Sequence, residues 1–554
     1  MPAPGSDPTE FVRDLINRRA ASGRTAFVEG ATSRRLGWGD VAARADGWCA
    51  AGSSIGVGGA GRARVGLLIS DPLEMAAGFL AALAAGVTVA PLNATGATPE
   101  LVTAAATLGL AAVVGGETDL DAHGPALGRA GLDVWEAGPS GVALVTRRDA
   151  AGVTGDGADA AMLLSSSGTT GPPKLIPLRL GQILHTADSV VSHHRLEPAD
   201  RGYSPLPLSH INGLVVGVLA ALVGGHSLVL DRRFSASSFW DVVERNDVTW
   251  LNLVPAMISI LAARPAPDRC RLGSVAFARS ASAPLPVTVL ERFQRETGVV
   301  VVETYGMTEA GSQVTSNPRP PVPGRSGSVG QAVGVELRVV DGERRSVPAG
   351  QVGAVEIRGE SVVTEYWAPG GTVPRTREAR RPDGWLETGD LGRLDADGYV
   401  YLAGRNDDVI NRGGEKVYPR EVEEVLYAEV GVAAAAVVGR PHAIVGEEPV
   451  AFVVPAPGVD GDLLLSRLAE RCAGELSRFR RPAEILLVEA LPSGPNGKVR
   501  RGELRSLVRP PHVPGRRRRE VHGLDLHAHA GALSDRAGSD RAGSEEAVDS
   551  GRGG

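Results

Sequence analysis

The chain has 554 residues, 58 Lys and Arg against 64 Asp and Glu, a formal net charge of −6 and 43% hydrophobic residues. That length supports more than one core, so two or more domains are expected. The mild acidity gives no electrostatic reason to expect a nucleic acid or an anionic membrane as partner. Aromatic residues are only 4%, so Leu, Val and Ala must fill most of the interior. Cys49, Cys270 and Cys472 are far apart, odd in number and in no CxxC pattern. They argue against a disulfide framework or a zinc site and fit a reducing cytoplasm. The first 15 residues lack the basic-then-apolar order of a signal peptide. Two uncharged runs, 75–94 and 213–225, carry Gly or Pro and read as buried helices or strands rather than membrane spans.

From the N-terminus, residues 36–93 give a helix-like stretch, a strand at 64–70, a helix at 72–85 and an apolar strand at 87–92. This alternation predicts βα units with a parallel sheet. It recurs at 161–164, at 225–230, at 248–254 followed by a helix at 255–263, and at 273–278. The pattern changes near residue 400. A strand at 399–405 ends in charge, a helix follows at 419–429, strands at 433–440 and 450–454, and a helix at 462–476. The predicted fold class is therefore α/β: a large multi-subdomain N-terminal α/β body over 1–405, then a small α+β domain over 406–508, whose mobility is implied only by the resemblance given below. The tail, 509–554, carries four arginines at 516–519 and SDRAG twice in tandem at 534–543. It has almost no apolar periodicity and is expected to be disordered.

The densest local signal is 165–174, SSSGTTGPPK, which leaves the apolar stretch 161–164. Ser165, Ser166, Ser167, Gly168, Thr169, Thr170 and Gly171 offer hydroxyls and backbone N–H groups to polyphosphate, and Lys174 adds positive charge. The spacing is not that of a P-loop, because two prolines follow the second glycine.

This run resembles the phosphate-binding signature of the adenylate-forming superfamily, which includes acyl-CoA synthetases, luciferases and adenylation domains. Further motifs follow in the family's order: YGMTE at 305–309, WLETGDLG at 385–392, GRNDDVINRGGEKVYPREVE at 404–423 and LPSGPNGKVRR at 491–501. The resemblance covers about residues 10–508 and implies ATP-dependent activation of a carboxylate as acyl-AMP. It is followed by transfer to CoA, with ATP, Mg²⁺ and CoA as cofactors. An adenylating enzyme that passes the acid, or a small anion such as nitrite, to an amine or carrier protein is the alternative.

The resemblance also implies roles. Thr169, Thr170 and Lys174 belong to the loop on the β- and γ-phosphates, Thr308 meets the α-phosphate, and Glu309 is a Mg²⁺ ligand. Tyr305 faces adenine with Ser282 and Ala283 opposite, Asp390 accepts from the ribose hydroxyls, and Arg405 helps hold ribose or phosphate. Lys498 reaches the α-phosphate and the carboxylate. Asp407, with Asp408 as a rival, matches the hinge of a rotating C-terminal domain. Gly413 and Gly414 match the loop lining the pantetheine path. Gly494 stands where the family usually has Thr, which leaves the support of the Lys498 loop open.

For the acid, 204–214 (SPLPLSHINGL) places His210 on a motif histidine beside the acyl pocket, with Asn212 and Gly213 following. RSASAP at 279–284 and TEAGSQVTSNP at 308–318 look closest to oxalate–CoA ligases, so Ser280, Ser312 and Gln313 join the substrate set. Those relatives carry histidines where this chain has Asn212 and Ser312. Neither residue is charged, so the frame favours a small monoanion over oxalate. If a distal charge is to be met, His210 and Arg279 remain to meet it.

Overall fold

The computed structural model describes residues 6–55, 63–147, 159–166, 174–264, 272–369, 376–494 and 498–508. Ser167, Gly168, Thr169, Thr170 and Gly171, Cys270 and the tail lie outside the described residues, as does the side chain of Ser166.

Two nine-stranded sheets form the large body among the described residues. The first runs Gln331–Ala332, Thr315–Ser316, Val301–Tyr305, Phe277–Ser280, Trp250–Leu253, Arg201–Ser204, Ser227–Leu230, Thr25–Glu29 and Arg35–Gly37. Its six central strands are parallel neighbours. The second is centred on Arg64–Leu68 and Thr88–Pro91, and leads through Met162–Ser166 to the antiparallel strand Lys174–Leu178. The α/β expectation is borne out. Strand starts shift where apolar residues lie in the approach: the strand expected over 273–278 is Phe277–Ser280.

Helix Pro72–Ala84 shows why the sequence folds this way locally. Asp71 caps it by accepting from the Leu73 and Glu74 N–H groups, and Pro72 opens the first turn, where its missing N–H costs nothing. Ala and Leu follow without a polar face, and nearly every residue is buried between the sheets. The other uncharged run opens as the π-helix Asn212–Leu219, also buried throughout. No helix among the described residues is long and apolar enough to cross a membrane.

Beyond the two large sheets, Glu336–Val340, Gly353–Arg358, Leu386–Leu394 and Val400–Arg405 make a four-stranded antiparallel sheet. The C-terminal domain is a five-stranded sheet of its own, with Ile410–Arg412, Glu415–Val417, Val432–His442, Gly446–Pro455 and Glu484–Leu487. Helices Pro419–Tyr427 and Gly461–Glu475 pack on it around Val422, Leu426, Leu464 and Leu468. It touches the body through helix Pro419–Tyr427. The Val287 N–H donates to Glu424 Oε2 at 3.1 Å, and Thr288 Oγ1 donates to the Tyr427 carbonyl at 3.2 Å.

Glu303 sits just under that contact, 4% exposed. Burial pushes its carboxyl up to about 7 from 4.5, against the pull of Arg420. The sign follows from linkage. Folding favours the protonated acid, so this stability is fully present below pH 4.5 and is lost as pH rises through 7. The rise corresponds to about 3 kcal/mol at most. Glu303→Gln is therefore expected to melt above the wild type at pH 8 and level with it at pH 5. Parallel melting curves against pH would show that Glu303 is not buried as described.

Candidate active site

The site is assembled from the C-terminal ends of parallel strands, where open α/β sheets leave a crevice. Strand Val301–Tyr305 ends in the sharp turn 306–312, and Thr308–Ala310 form one turn of 3₁₀ helix. Gly306 is required there: a Cβ would lie 1.4 Å from the Ser312 carbonyl oxygen. The turn sets Tyr305, Thr308 and Glu309 along one short segment.

Asp390 comes from the four-stranded sheet. The TGD motif is not a free turn: it lies inside strand Leu386–Leu394, with a register irregularity at Leu391/Gly392. Tyr305 Oη donates to Asp390 Oδ2 at 2.5 Å, and Arg405 Nη1 lies 3.7 Å from Asp390 Oδ1. Asp390 and Arg405 are direct cross-strand partners, which fixes their pairing. Burial raises the Asp390 pKa, against Arg405, the tyrosine hydrogen bond and Lys498. Burial and the Asp390 carboxylate push Tyr305 well above its ordinary value.

Glu309 faces a second group. Tyr366 Oη donates to Glu309 Oε1 at 3.5 Å, and Lys174 Nζ lies 5.1 Å over the Tyr366 ring. Burial raises the Glu309 pKa while Arg405 and Lys174 hold it down. Tyr366 carries no motif and was missed in sequence.

Lys498 enters from the C-terminal domain. Its turn is closed by backbone: the Gly494 N–H donates to the Lys498 carbonyl at 2.9 Å, the Arg500 N–H donates to the Pro492 carbonyl at 2.7 Å, and Ser493 bridges Val499. A threonine side chain at 494 is not needed to close it. Lys498 keeps solvent access. Desolvation by the surrounding protein lowers its pKa, Asp390 and Glu309 pull it back up, and Arg405 pushes it down. Lys498 in turn helps burial lower the pKa of His210. Lys498, Asp390, Arg405, Glu309 and His210 therefore share one electrostatic site.

The residues expected to meet the acid include a polar cluster around the buried Arg279. Asn212 Nδ2 donates to Ser282 Oγ at 3.5 Å, and Ser282 holds a positive φ of 77°. Arg279 Nη2 donates to Gln313 Oε1 at 2.7 Å. Arg279 Nη1 donates to Asn252 Oδ1 at 3.3 Å and Asn212 Oδ1 at 3.5 Å. Gly213 lies in the same π-helix and Ala283 beside Ser282, while the buried Ser280 hydroxyl finds no partner among the described residues. Ser312 holds a φ of 108° against Gly306. Asn252 was missed; its signal was one amide inside the apolar strand Trp250–Leu253.

Asn406–Asp408, the segment expected to be the hinge, forms a 3₁₀ turn. Asp408 is tied to helix Arg501–Leu507 by Arg505 at 2.5 Å and Arg501 at 3.6 Å, whereas the Asp407 side chain is exposed. Gly413 and Gly414 form the tip of the hairpin between Ile410–Arg412 and Glu415–Val417, both with positive φ, 62° and 90°. Both face solvent.

Fold and site together define the adenylate-forming class. Residues 16–367 match the AMP-binding enzyme family, and residues 421–498 match the AMP-binding enzyme C-terminal domain. A sulfoacetate–CoA ligase of Cupriavidus necator is 44% identical over 348 residues, 62% of this chain and 66% of that protein. An oxalate–CoA ligase of Arabidopsis thaliana is 34% identical over 62% of this chain and 66% of that protein. The ATP-bound structure of MatB from Rhodopseudomonas palustris superposes with a TM-score of 0.77 at 28% identity, covering 89% of this chain and 98% of that one. The chain belongs to the AMP-binding enzyme family. Its matches span just under two thirds of the first curated relatives' lengths.

Proposed function

We propose that the protein activates a small carboxylic acid with ATP as acyl-AMP and transfers the acyl group to CoA. The observation that carries this reading is the approach of Lys498, from the C-terminal domain, to Asp390 and Arg405 of the four-stranded sheet, to Glu309 in the turn after Val301–Tyr305, and to His210. The CoA ligases among its relatives support CoA as the acceptor.

A carboxylate has no usable leaving group, so one of its oxygens attacks the α-phosphorus of ATP and pyrophosphate leaves. Charge builds on the phosphate oxygens, and positioned donors lower that barrier. Lys498 holds the α-phosphate and the acid together during this step. Thr308 donates to the same phosphate. Asp390 accepts the ribose hydroxyls, with Arg405 fixing its direction, and Tyr305 packs on adenine opposite Ser282 and Ala283. The phosphate run 165–174 cradles the β- and γ-phosphates. Glu309 suits Mg²⁺: it is a half-buried carboxylate with one oxygen accepting from Tyr366, a fit for an ion otherwise held by phosphates and water. When bound, Mg²⁺ would supply charge neutralisation at the polyphosphate.

For transfer, residues 406–508 turn on Asp407 relative to 1–405, withdrawing Lys498 and bringing Gly413 and Gly414 to the pantetheine arm. Asp408 moves with the C-terminal domain through its arginines. Working in the cytoplasm is consistent with the scattered cysteines. The test is pyrophosphate release from ATP with a panel of small acids, with and without CoA, and products read by mass spectrometry. Acyl-CoA is expected from at least one acid. Release with no thioester, and product only with an amine or carrier protein, would replace CoA as the acceptor.

A further inference from the structure

Arg279 is 1% exposed, and its partners are three amide oxygens: Gln313 Oε1, Asn252 Oδ1 and Asn212 Oδ1. No carboxylate pairs with it among the described residues. A buried cation without a counter-ion is costly, and amide dipoles offset only part of that cost. Two donors are also unmet. Arg279 Nε and Gln313 Nε2 are buried with no acceptor among the described residues. Nε and Nη2 form one edge of the guanidinium, the edge that binds two oxygens of one anion side by side. Gln313 fills half of it. The amide nitrogens point elsewhere: Asn252 Nδ2 donates to Ser204 Oγ at 3.2 Å and to Asn212 Oδ1 at 3.3 Å, and Asn212 Nδ2 donates to Ser282 Oγ at 3.5 Å. His194 is the neighbouring titratable group, and burial with Arg279 beside it keeps it neutral.

The position links this cation to the chemistry. Asn212, within reach of Arg279, lies two residues after His210, which feels the charge of Lys498. Gln313, the nearest of the Arg279 partners, follows directly on the turn that carries Thr308 and Glu309, so the cation lies against the same segment as the proposed chemistry.

We propose that Arg279 is the specificity residue for a second anionic group on the substrate, so that the acid is a small dianion bearing a distal carboxylate or sulfonate. This rests on the ligase reading above and reverses the monoanion expectation drawn from Asn212 and Ser312. The missing charge lies behind those residues rather than at them.

The test compares each dianion with its neutral-ended amide, which has nearly the same shape: oxalate with oxamate, malonate with malonamate, sulfoacetate with sulfamoylacetate. ATP-dependent pyrophosphate release gives kcat and KM for each. The wild type is expected to favour the dianion of at least one pair by about 10- to 100-fold, mainly in KM. The carboxylate and sulfonate pairs decide which distal group fits. Arg279→Met should bring that ratio near one. Because this variant removes a buried charge, Asn212→Asp serves as the second arm. It supplies an internal carboxylate beside Arg279, so it should melt no lower than the wild type and still lose the preference. Equal use of acid and amide by the wild type, or an undiminished preference in Asn212→Asp, would overturn the assignment. Pyrophosphate release with no acid of any kind would instead reject the ligase reading itself.

Discussion

Lys498→Ala is expected to slow acyl-adenylate formation by roughly 10²–10³-fold or more, the scale of removing one positioned donor from a developing anion. The reason is geometric. Lys498 sits among Asp390, Arg405, Glu309 and His210, and it arrives there from a different domain. Its charge matters when negative charge gathers on the α-phosphate. The turn that carries it closes through Gly494 and Arg500 backbone bonds, so the truncation leaves the fold intact. Thioester formation from supplied acyl-adenylate should largely persist, since that half-reaction follows withdrawal of the lysine. Single-turnover assays of each half separate the two. Equal losses in both halves would reject the division of labour.

The second large effect is expected at the hinge. Asp407→Pro locks φ near −65° and restricts Asn406 before it. Asp407 has an exposed side chain, so no buried partner is lost. Its neighbour Asp408 is held by Arg501 and Arg505 and travels with helix Arg501–Leu507. A backbone that must turn at 407 therefore meets a penalty of about 3 kcal/mol, or about 10²-fold in the transfer step. Adenylation should remain near the wild-type rate. Pyrophosphate release and acyl-CoA formation, measured on the same preparation, report the two steps. Unimpaired transfer would remove Asp407 as the pivot.

Much of this was legible in the sequence because its signals are local. Alternating apolar runs fix strands and helices through side-chain periodicity, so the βα units and the Pro72–Ala84 helix followed from 64–92 alone. Motif order identified the superfamily, since glycines, hydroxyls and charges at fixed spacing answer to one ligand. Tyr305, Glu309, Asp390, Arg405 and Lys498 were named from the family resemblance that those motifs carry, and the fold brings them to one site.

What the sequence could not hold was pairing between distant segments. Tyr366 has no motif, yet the antiparallel contact of its strand with Lys174–Leu178 sets its hydroxyl at Glu309. The pairing of Asp390 with Arg405 depends on cross-strand register, and backbone bonds from Gly494 to Lys498 and from Arg500 to Pro492 tie the two sides of the Lys498 segment. In the sequence Arg279 stood only beside His210 as a residue left to meet a distal charge. Only the tertiary structure, by removing it from water and giving it amides rather than a carboxylate, made it a charge in need of a partner. Burial is a property of the whole packed chain, and desolvation turns an ordinary arginine into a probe of the substrate's far end.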